Sequence, residues 1–308
     1  MNPLRRLYYL LEYAAATSLL GILAAAPLRL TLAVGDVIAR LAFLLMFKRR
    51  GYAIDNLLRS GLTDSPAEAR RIAFASFRTF VAMVAEANAA RRRITDSNWR
   101  EHVALKISPE AEKILADPKQ GVLVASAHFG NWEVVGRAAS MLKPLTAIYR
   151  PFNNPYLDRA AHAGRTGDRL RLISKFDANP MRFVQTLARG EVLGIMIDQY
   201  AGREGVPVQF FGRQAWTTKT VAMLHLTTRC PLLLVFALRT GPLQYEVHVL
   251  GPLQHERTGD RERDVFAITQ NLTREIEKVV RAHPEQYMWG HRRWKQPKSE
   301  IQAPAKQA

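Results

Sequence analysis

Residues 121–150, GVLVASAHFGNWEVVGRAASMLKPLTAIYR, decide the fold of this chain. Short apolar runs at 121–125 and 145–149 predict two strands, and the residues between them predict a helix over about 130–142. Continuous apolar strands that alternate with helices are typical of a sheet buried on both faces. The stretch therefore predicts a β-α-β unit of an α/β protein.

The same alternation continues along the chain. It predicts helices over 64–90, 110–116, 179–189, 218–228 and 262–282, a short helix capped by Asn154, strands at 170–174, 192–197, 232–239 and 245–250, and a long loop over 198–216. The predicted fold class is α/β, with a central, mostly parallel sheet flanked by helices. One domain over 51–308, ending in a basic tail, follows an N-terminal hydrophobic segment over 1–50.

The N-terminal segment is apolar enough to enter a membrane. From Leu7 to Leu28 the chain has twenty-two residues, and Glu12 is the only charge among them; a span needs about 20 apolar residues. Basic residues flank the segment, and positive flanks favour the cytoplasmic side. We expect an uncleaved anchor that crosses once with tilt or lies in the cytoplasmic leaflet. A secretory signal and a buried core helix are the alternatives, and charges at 29, 36 and 40 leave the number of spans open.

The charge of the chain narrows the class of partner. The formal net charge is +17 and the isoelectric point is about 10.4, so the surface favours nucleic acid, anionic lipid or an acidic carrier protein. The sequence contains no helix-turn-helix, zinc-finger or RNA-binding motif, and no nucleic-acid partner is expected. The single cysteine, Cys230, excludes an intrachain disulfide.

His128 and Glu133 are the candidate catalytic pair. The strand before His128 delivers it to the carboxyl edge of the sheet, where ligand sites of such folds lie. Glu133 falls in the first turn of the next helix, so the loop can bring imidazole and carboxylate together. A carboxylate fixes the tautomer of the ring, whose other nitrogen then takes a proton from a hydroxyl. A purely structural histidine is the alternative. Asn131, at the start of the helix, is a candidate substrate-binding residue.

Several ordered motifs carry a resemblance to a known family. HFGNWE after an apolar strand resembles the H-x-x-x-x-D/E motif of glycerolipid-type acyltransferases, and in detail it is similar to the bacterial lipid A biosynthesis (lauroyl/myristoyl) acyltransferases. Four more stretches are similar to that family: IYRPFNNPYLD (148–158), GIMIDQ (194–199), VPVQFFGRQAWTTKTVAML (206–224) and HPEQYMWGHRRWK (283–295). Together the matching motifs cover most of residues 65–295.

The resemblance implies a membrane-bound O-acyltransferase with its catalytic domain over 51–308. The acyl chain would come from acyl carrier protein or acyl-CoA and pass to a hydroxyl of an anionic glycolipid at the cytoplasmic face of the inner membrane. His128 would be the general base and Glu133 its orienting partner, with no cofactor or metal. A lysophospholipid or a phosphoinositide mannoside is the alternative acceptor. A basic membrane-binding protein without catalysis is the third hypothesis.

Three further residues join the candidate site. Arg150 ends a strand at the same edge, and Arg165 lies where the family carries a functional arginine, with Arg169 as a competing assignment. Guanidinium groups bind phosphate in a fork, so either arginine is a candidate for phosphate binding. Asp198 follows an apolar strand and matches a functional acidic position of the family. We expect it to position Arg165 or a sugar hydroxyl.

Two aromatic groups have open assignments. Phe210, Phe211 and Trp216 either line an acyl channel or pack in the core. Tyr287, Trp289 and Trp294 stand beside basic residues, and either lie at a membrane interface or fold back onto the core.

Overall fold

The computed structural model describes residues 2–167, 169–177 and 179–297. The helices are α1 (Pro3–Ala25), α2 (Leu28–Leu45), α3 (Phe47–Arg59), α4 (Pro66–Arg93), α5 (Trp99–His102), α6 (Pro109–Ala116), α7 (Trp132–Leu142), α8 (Pro155–Arg165), α9 (Pro180–Ala188), α10 (Thr220–Thr228) and α11 (Arg261–Ala282), with short 3₁₀ turns at Gly202–Glu204 and Pro284–Gln286. The strands are β1 (Val103–Ile107), β2 (Val122–Ser126), β3 (Leu145–Tyr149), β4 (Leu170–Ser174), β5 (Val192–Met196), β6 (Val206–Phe210), β7 (Arg213–Thr217), β8 (Leu232–Gly241) and β9 (Gln244–Leu250).

A seven-stranded sheet forms the centre, in the order β1-β9-β8-β2-β5-β3-β4. Every neighbouring pair is parallel except β8 and β9, which form an antiparallel hairpin. The strands β2 and β5 lie side by side in the middle, although 65 residues lie between Ser126, the last residue of β2, and Val192, the first residue of β5. This arrangement confirms the predicted α/β class and the mostly parallel sheet.

Helices cover both faces of the sheet. On one face, alternate strand residues such as Leu123 and Leu193 belong to a core cluster that includes residues of α9, α10 and α11. On the other face, Val122, Val192 and Leu233 join a second cluster with α7 and the end of α4. Because side chains alternate between the faces of a strand, one short sheet supplies both clusters.

The first 59 residues form three helices. A break at Pro27 separates α1 from α2, and α2 and α3 meet at 87°. Within the described residues, α1 is the one unbroken helix that is long and apolar enough to cross a membrane. Only 6% of its most apolar stretch is buried. The helices α2 and α3 pack against α4. The N-terminal segment is thus split between an exposed apolar helix and helices that join the domain. The predicted basic tail extends into 298–308, outside the described residues.

Most predicted elements are confirmed, but three strands and the short helix α5 were missed. Ser65 caps α4 and Asn154 caps α8 through side-chain acceptors, and Pro66 and Pro155 take the first helical position. The edge strand β1 was not predicted. The predicted loop over 198–216 is wrong in part, because β6 and β7 form a hairpin there. Phe211 and Gly212 take φ of 53° and 66° at its tip, which matches a two-residue turn of the type that hairpins favour.

Candidate active site

The register of the two central strands brings His128 and Asp198 together. Ser126 pairs with Met196, and each strand continues two residues further to a polar side chain, His128 after β2 and Asp198 after β5. The ring Nδ1 lies 2.8 Å from Asp198 Oδ1, and the backbone N–H of His128 donates to Oδ2 at 3.0 Å. A carboxylate only accepts, so Nδ1 carries the proton and Nε2 holds the lone pair.

Asp198 is held in its charged form. Burial acts to raise the pKa of its carboxyl, but attraction to the protonated form of His128, the hydrogen bonds from that residue and the nearby Arg293 charge outweigh it, so this pKa lies below its ordinary value. On the open side, the Gln199 amide donates to His128 Nε2 at 3.2 Å. The edge of the Trp132 ring system packs against the imidazole, with centroids 5.0 Å apart. The ring is therefore fixed in tautomer and in orientation.

The loop that carries His128 is locked by the segment after α11. The His128 carbonyl accepts from Met288, and the Gly130 amide donates to Gln286. Gly130 has a φ of 56°, and a Cβ there would lie 1.6 Å from the Ala237 carbonyl oxygen. Only glycine fits that backbone. The closing motif at 283–295 thus shapes the site, since its backbone holds the His128 loop.

Glu133 does not bind His128 in the structure, which corrects the predicted pair. Both of its carboxylate oxygens accept from Arg165, at 2.7 Å from Nε and 2.6 Å from Nη2. Glu133 lies in the first turn of α7, and Arg165 is the last residue of α8. The carboxylate is therefore engaged by a residue of another helix and not by His128. The two side chains are 21% and 34% exposed and line the same opening as His128. The expectation that Asp198 positions Arg165 is also wrong, because Asp198 binds the imidazole.

Asn131 is enclosed and is not placed to bind a substrate. It is 0% exposed, its Oδ1 accepts from Val134 to cap α7, and its Nδ2 donates to the Tyr245 hydroxyl. That hydroxyl donates in turn to Glu86, whose carboxylate also accepts three bonds from Arg239. No pattern in the sequence had indicated this buried network. It ties α4 and the sheet to the start of α7.

Several cations surround the opening. Arg150 is exposed there, and within the described residues it forms no salt bridge. Lys175, Arg49, Arg292 and Lys295 line the same opening. The competing candidate, Arg169, instead donates to the Leu142 carbonyl at the far end of α7, which favours Arg165 as the residue of the site.

An apolar cavity of about 1050 Å³ begins at His128. One arm, the inner arm, runs between α7 and the sheet. It is lined by Val124, Val135, Gly136, Ala139, Ala147 and Gly194, and its deep end by Leu142, Leu145 and Val192. The other arm, the outer arm, is lined by Met46 of α2 and by Phe77 and Phe80 of α4. A charged rim therefore surrounds an opening into apolar space, with His128 between the arms.

Five of the six aromatic side chains pack in the core, whereas Trp216 is partly exposed on β7 and donates to the Gln296 side chain. Phe210, Phe211, Tyr287, Trp289 and Trp294 are at most 8% exposed, and none of them lines the cavity. Arg293 is 2% exposed and donates to the Trp216 carbonyl and the Thr217 hydroxyl. His291 lines the cavity, and burial lowers the pKa of its ring to about 4, with Asp198 opposing and nearby cations assisting.

Comparison with known proteins gives the family. The profile of the bacterial lipid A biosynthesis acyltransferases matches residues 3–296. The lipid A biosynthesis palmitoleoyltransferase of Escherichia coli is 28% identical over 57% of this chain and 56% of its own length. The lauroyltransferase of the same organism is 28% identical over 66% of this chain and 64% of its own.

The chain thus aligns with less than two thirds of the length of these relatives. A crystal structure of the 1-acyl-sn-glycerophosphate acyltransferase from Thermotoga maritima covers 80% of this chain and 95% of that chain, with a TM-score of 0.32 and 12% identity. The assignment to a family comes from the profile match and not from this structure. Because the profile spans nearly the whole chain, this protein belongs to the bacterial lipid A biosynthesis acyltransferase family.

Proposed function

We propose that the protein transfers a fatty acyl chain from a thioester donor, acyl carrier protein or acyl-CoA, to a hydroxyl of a lipid A precursor or a related glycolipid. The observation that carries the proposal is the place of His128. Its Nε2 stands where a charged rim meets an apolar cavity, while Asp198 holds its other nitrogen. The relatives named above are lipid A acyltransferases, which agrees with this chemistry.

The proposed reaction is a direct transfer. His128 Nε2 takes the proton of the acceptor hydroxyl as its oxygen attacks the thioester carbon. The C–S bond then breaks, and the imidazolium returns the proton to the thiolate, leaving an ester and a free thiol. Asp198 stabilises the imidazolium in between. Free amides in the first turn of α7, next to His128 in the chain, are suited to stabilise the oxyanion.

The two arms of the cavity suit two lipid substrates. The inner arm is lined by apolar side chains and two glycines, which suits the acyl chain of the donor. The outer arm adjoins α2 and α4, close to the exposed N-terminal helix, and fits the hydrocarbon of an acceptor that comes from a bilayer. Residues Arg150, Lys175, Arg49, Arg292 and Lys295 line the opening with positive charge for phosphate groups.

Arg165 is held in a fixed position in which it binds the acceptor. Its bidentate contact with Glu133 holds the guanidinium at the opening, where one edge remains for a phosphate or sugar oxygen. We therefore assign Glu133 to the positioning of Arg165, and Asp198 to the positioning of His128.

The location proposed for this reaction is the cytoplasmic face of the inner membrane. Most of the apolar helix α1 is exposed, and Arg5 and Arg6 lie near its start, as an anchor with a cytoplasmic flank requires. The remaining positive charge attracts anionic lipid and an acidic carrier protein alike.

The test is a transfer assay with membranes that contain the wild type or His128→Ala. Donors are labelled acyl carrier protein and acyl-CoA, acceptors are a lipid A precursor, a lysophospholipid and a phosphoinositide mannoside, and products are identified by mass spectrometry. Loss of the base lowers the rate by roughly 10²–10⁴-fold. His248→Ala is the matched control, since His248 is partly exposed on β9 and does not line the cavity.

Each outcome has a distinct meaning. A His128-dependent lipid A product supports the proposal. A product on another lipid alone keeps the mechanism and changes the acceptor. Equal product from wild type and His128→Ala refutes the base, and a wild type without any product refutes the transferase in favour of a membrane-binding protein.

A further inference from the structure

Two glycines lie inside regular elements on opposite walls of the inner arm. Gly136 is in the middle of α7, and Gly194 is in the middle of the central strand β5. Glycine inside a helix or strand destabilises it relative to alanine. Neither residue has a positive φ that would demand glycine. Backbone conformation therefore does not require glycine at these two positions. The reason for glycine lies in the cavity space beside them.

That space is empty at Gly136 and tight at Gly194. A Cβ on Gly136 would meet no heavy atom within 4 Å, although the residue is only partly exposed and lines the cavity. A Cβ on Gly194 would lie 3.3 Å from the Cδ1 of Leu145, a flexible side chain. Any side chain at Gly136 would thus project into the arm rather than into packed protein.

Both glycines stand at the same depth. Gly136 follows Trp132, at the opening, by four residues, or about 6 Å of helix, and precedes Leu142 by six residues, or about 9 Å. Gly194 lies two residues below Met196, or about 7 Å along the strand. It pairs with Val124 on one side and Ala147 on the other. The smallest residues of both walls therefore lie about midway between the opening and the far end of the arm.

We propose that Gly136 and Gly194 set the length of the acyl chain that the enzyme accepts, by keeping the arm open to its deep end. The inference rests on the proposed acyl transfer. With both positions open, the chain passes between α7 and β5 to Leu142, Leu145 and Val192. A side chain at either position closes the arm midway, so that only the part near the opening remains.

The size of the effect follows from the fit of hydrocarbon in a closed arm. One methylene that a hydrophobic pocket accepts or rejects changes kcat/KM by roughly 10–200-fold. Donors whose acyl chain ends before it reaches Gly136 keep their kcat/KM when that position is filled. Donors with longer chains clash with the new side chain, so the preference moves toward shorter donors.

The test is a competition among acyl carrier protein donors whose chains differ in steps of two carbons. The variants Gly136→Ala, Gly136→Leu and Gly194→Ala are compared with the wild type by mass spectrometry of the product. For Gly136→Leu, kcat/KM with the donor that the wild type prefers falls at least about tenfold, or about 1.4 kcal/mol. Shorter donors stay within about threefold, under 1 kcal/mol. Both alanine variants shift the same way by less.

Gly51→Leu is the matched control. Gly51 is an exposed glycine inside α3, has no heavy atom within 4 Å of its Cβ position and does not line the cavity. The same substitution there leaves the length profile unchanged. An unchanged profile in Gly136→Leu, or an equal loss for every chain length, overturns the inference.

A second measurement separates this inference from the proposed reaction. Free fatty acids of the same lengths are titrated against wild type and Gly136→Leu in detergent, with a fluorescent fatty acid as the displaced probe. Selective loss of affinity for long chains supports the inference even if no acyl transfer is found. Equal affinities for long chains refute it, whether or not the enzyme transfers acyl groups.

Discussion

Asp198→Asn is the change that most directly tests the site. In the structure the carboxylate accepts two bonds from His128, one from ring Nδ1 and one from the backbone N–H, and it is 5% exposed. An asparagine keeps the shape. It turns one acceptor into an N–H₂ donor, which can face Nδ1 only if that nitrogen gives up its proton. The proton then moves to Nε2, and the lone pair needed by the acceptor hydroxyl is lost.

The magnitude follows from that change of tautomer. Turning the aspartate of the serine-protease triad into asparagine lowers kcat about 10⁴-fold with its geometry intact. At about 1.36 kcal/mol for each tenfold, this equals about 5 kcal/mol of transition-state stabilisation. Because acceptor and donor contacts do not involve Asp198, we expect the loss in kcat and little change in KM.

Glu133→Gln is the matched comparison, because it makes the same change from carboxylate to amide. It weakens the hold on Arg165, a charge-assisted contact worth about 1.5–3 kcal/mol at most and less where it is partly exposed, as here. We expect a rise in KM for the glycolipid with kcat nearly intact. The assay is steady-state transfer with both substrates varied. The reasoning is refuted if Asp198→Asn keeps kcat within tenfold while Glu133→Gln loses three orders of magnitude or more.

Three further predictions concern stability, each measured by urea unfolding of the protein in detergent. Gly130→Ala loses at least about 3 kcal/mol, because its Cβ meets the Ala237 carbonyl and the left-handed backbone is strained; an unchanged urea midpoint contradicts this. Glu86→Ala loses about 3–5 kcal/mol, since it leaves Arg239 without its partner in a buried network; a loss below 1 kcal/mol speaks against it. His291 contributes stability that is fully present above its unfolded pKa of about 6.5 and lost as pH falls through its folded pKa of about 4, about 3 kcal/mol in all. His291→Gln should therefore flatten the loss of stability between pH 6.5 and 4, and equal slopes in both proteins argue against the buried neutral ring.

The sequence predicted the elements that depend on local pattern. The strands β2 and β3, the helix α7 between them and the cap at Asn154 need only periodicity and capping chemistry, and the structure confirms them. The hairpin β6–β7 was not predicted, because its turn places Phe211 at positive φ and phenylalanine is not a typical turn residue. The edge strand β1 is short and half exposed, so its hydrophobic pattern is weak.

The sequence also placed four of the site residues in one candidate site at the carboxyl edge of the sheet, but it did not predict which of them bind each other. These residues are His128, Glu133, Arg165 and Asp198. His128 and Asp198 were both expected at the ends of strands, but local pattern does not reveal that β2 and β5 are neighbours. Glu133 is nearer to His128 in the chain, and that proximity suggested the wrong pair. A signal was present, since Asp198 is a lone acidic residue directly after a buried strand. Strand order was the missing information.

The sequence by itself determined the α/β class, the exposed apolar start, the basic surface and the candidate residues, because each depends on composition or on contacts a few residues apart. Only the tertiary structure decided that Asp198, 70 residues from His128, orients its ring, that Glu133 holds Arg165, and that Gly136 and Gly194 line the same cavity. Those contacts arise from the register of parallel strands and the packing of α7 on the sheet. Both are set by burial summed over the whole core, which no short stretch of sequence contains.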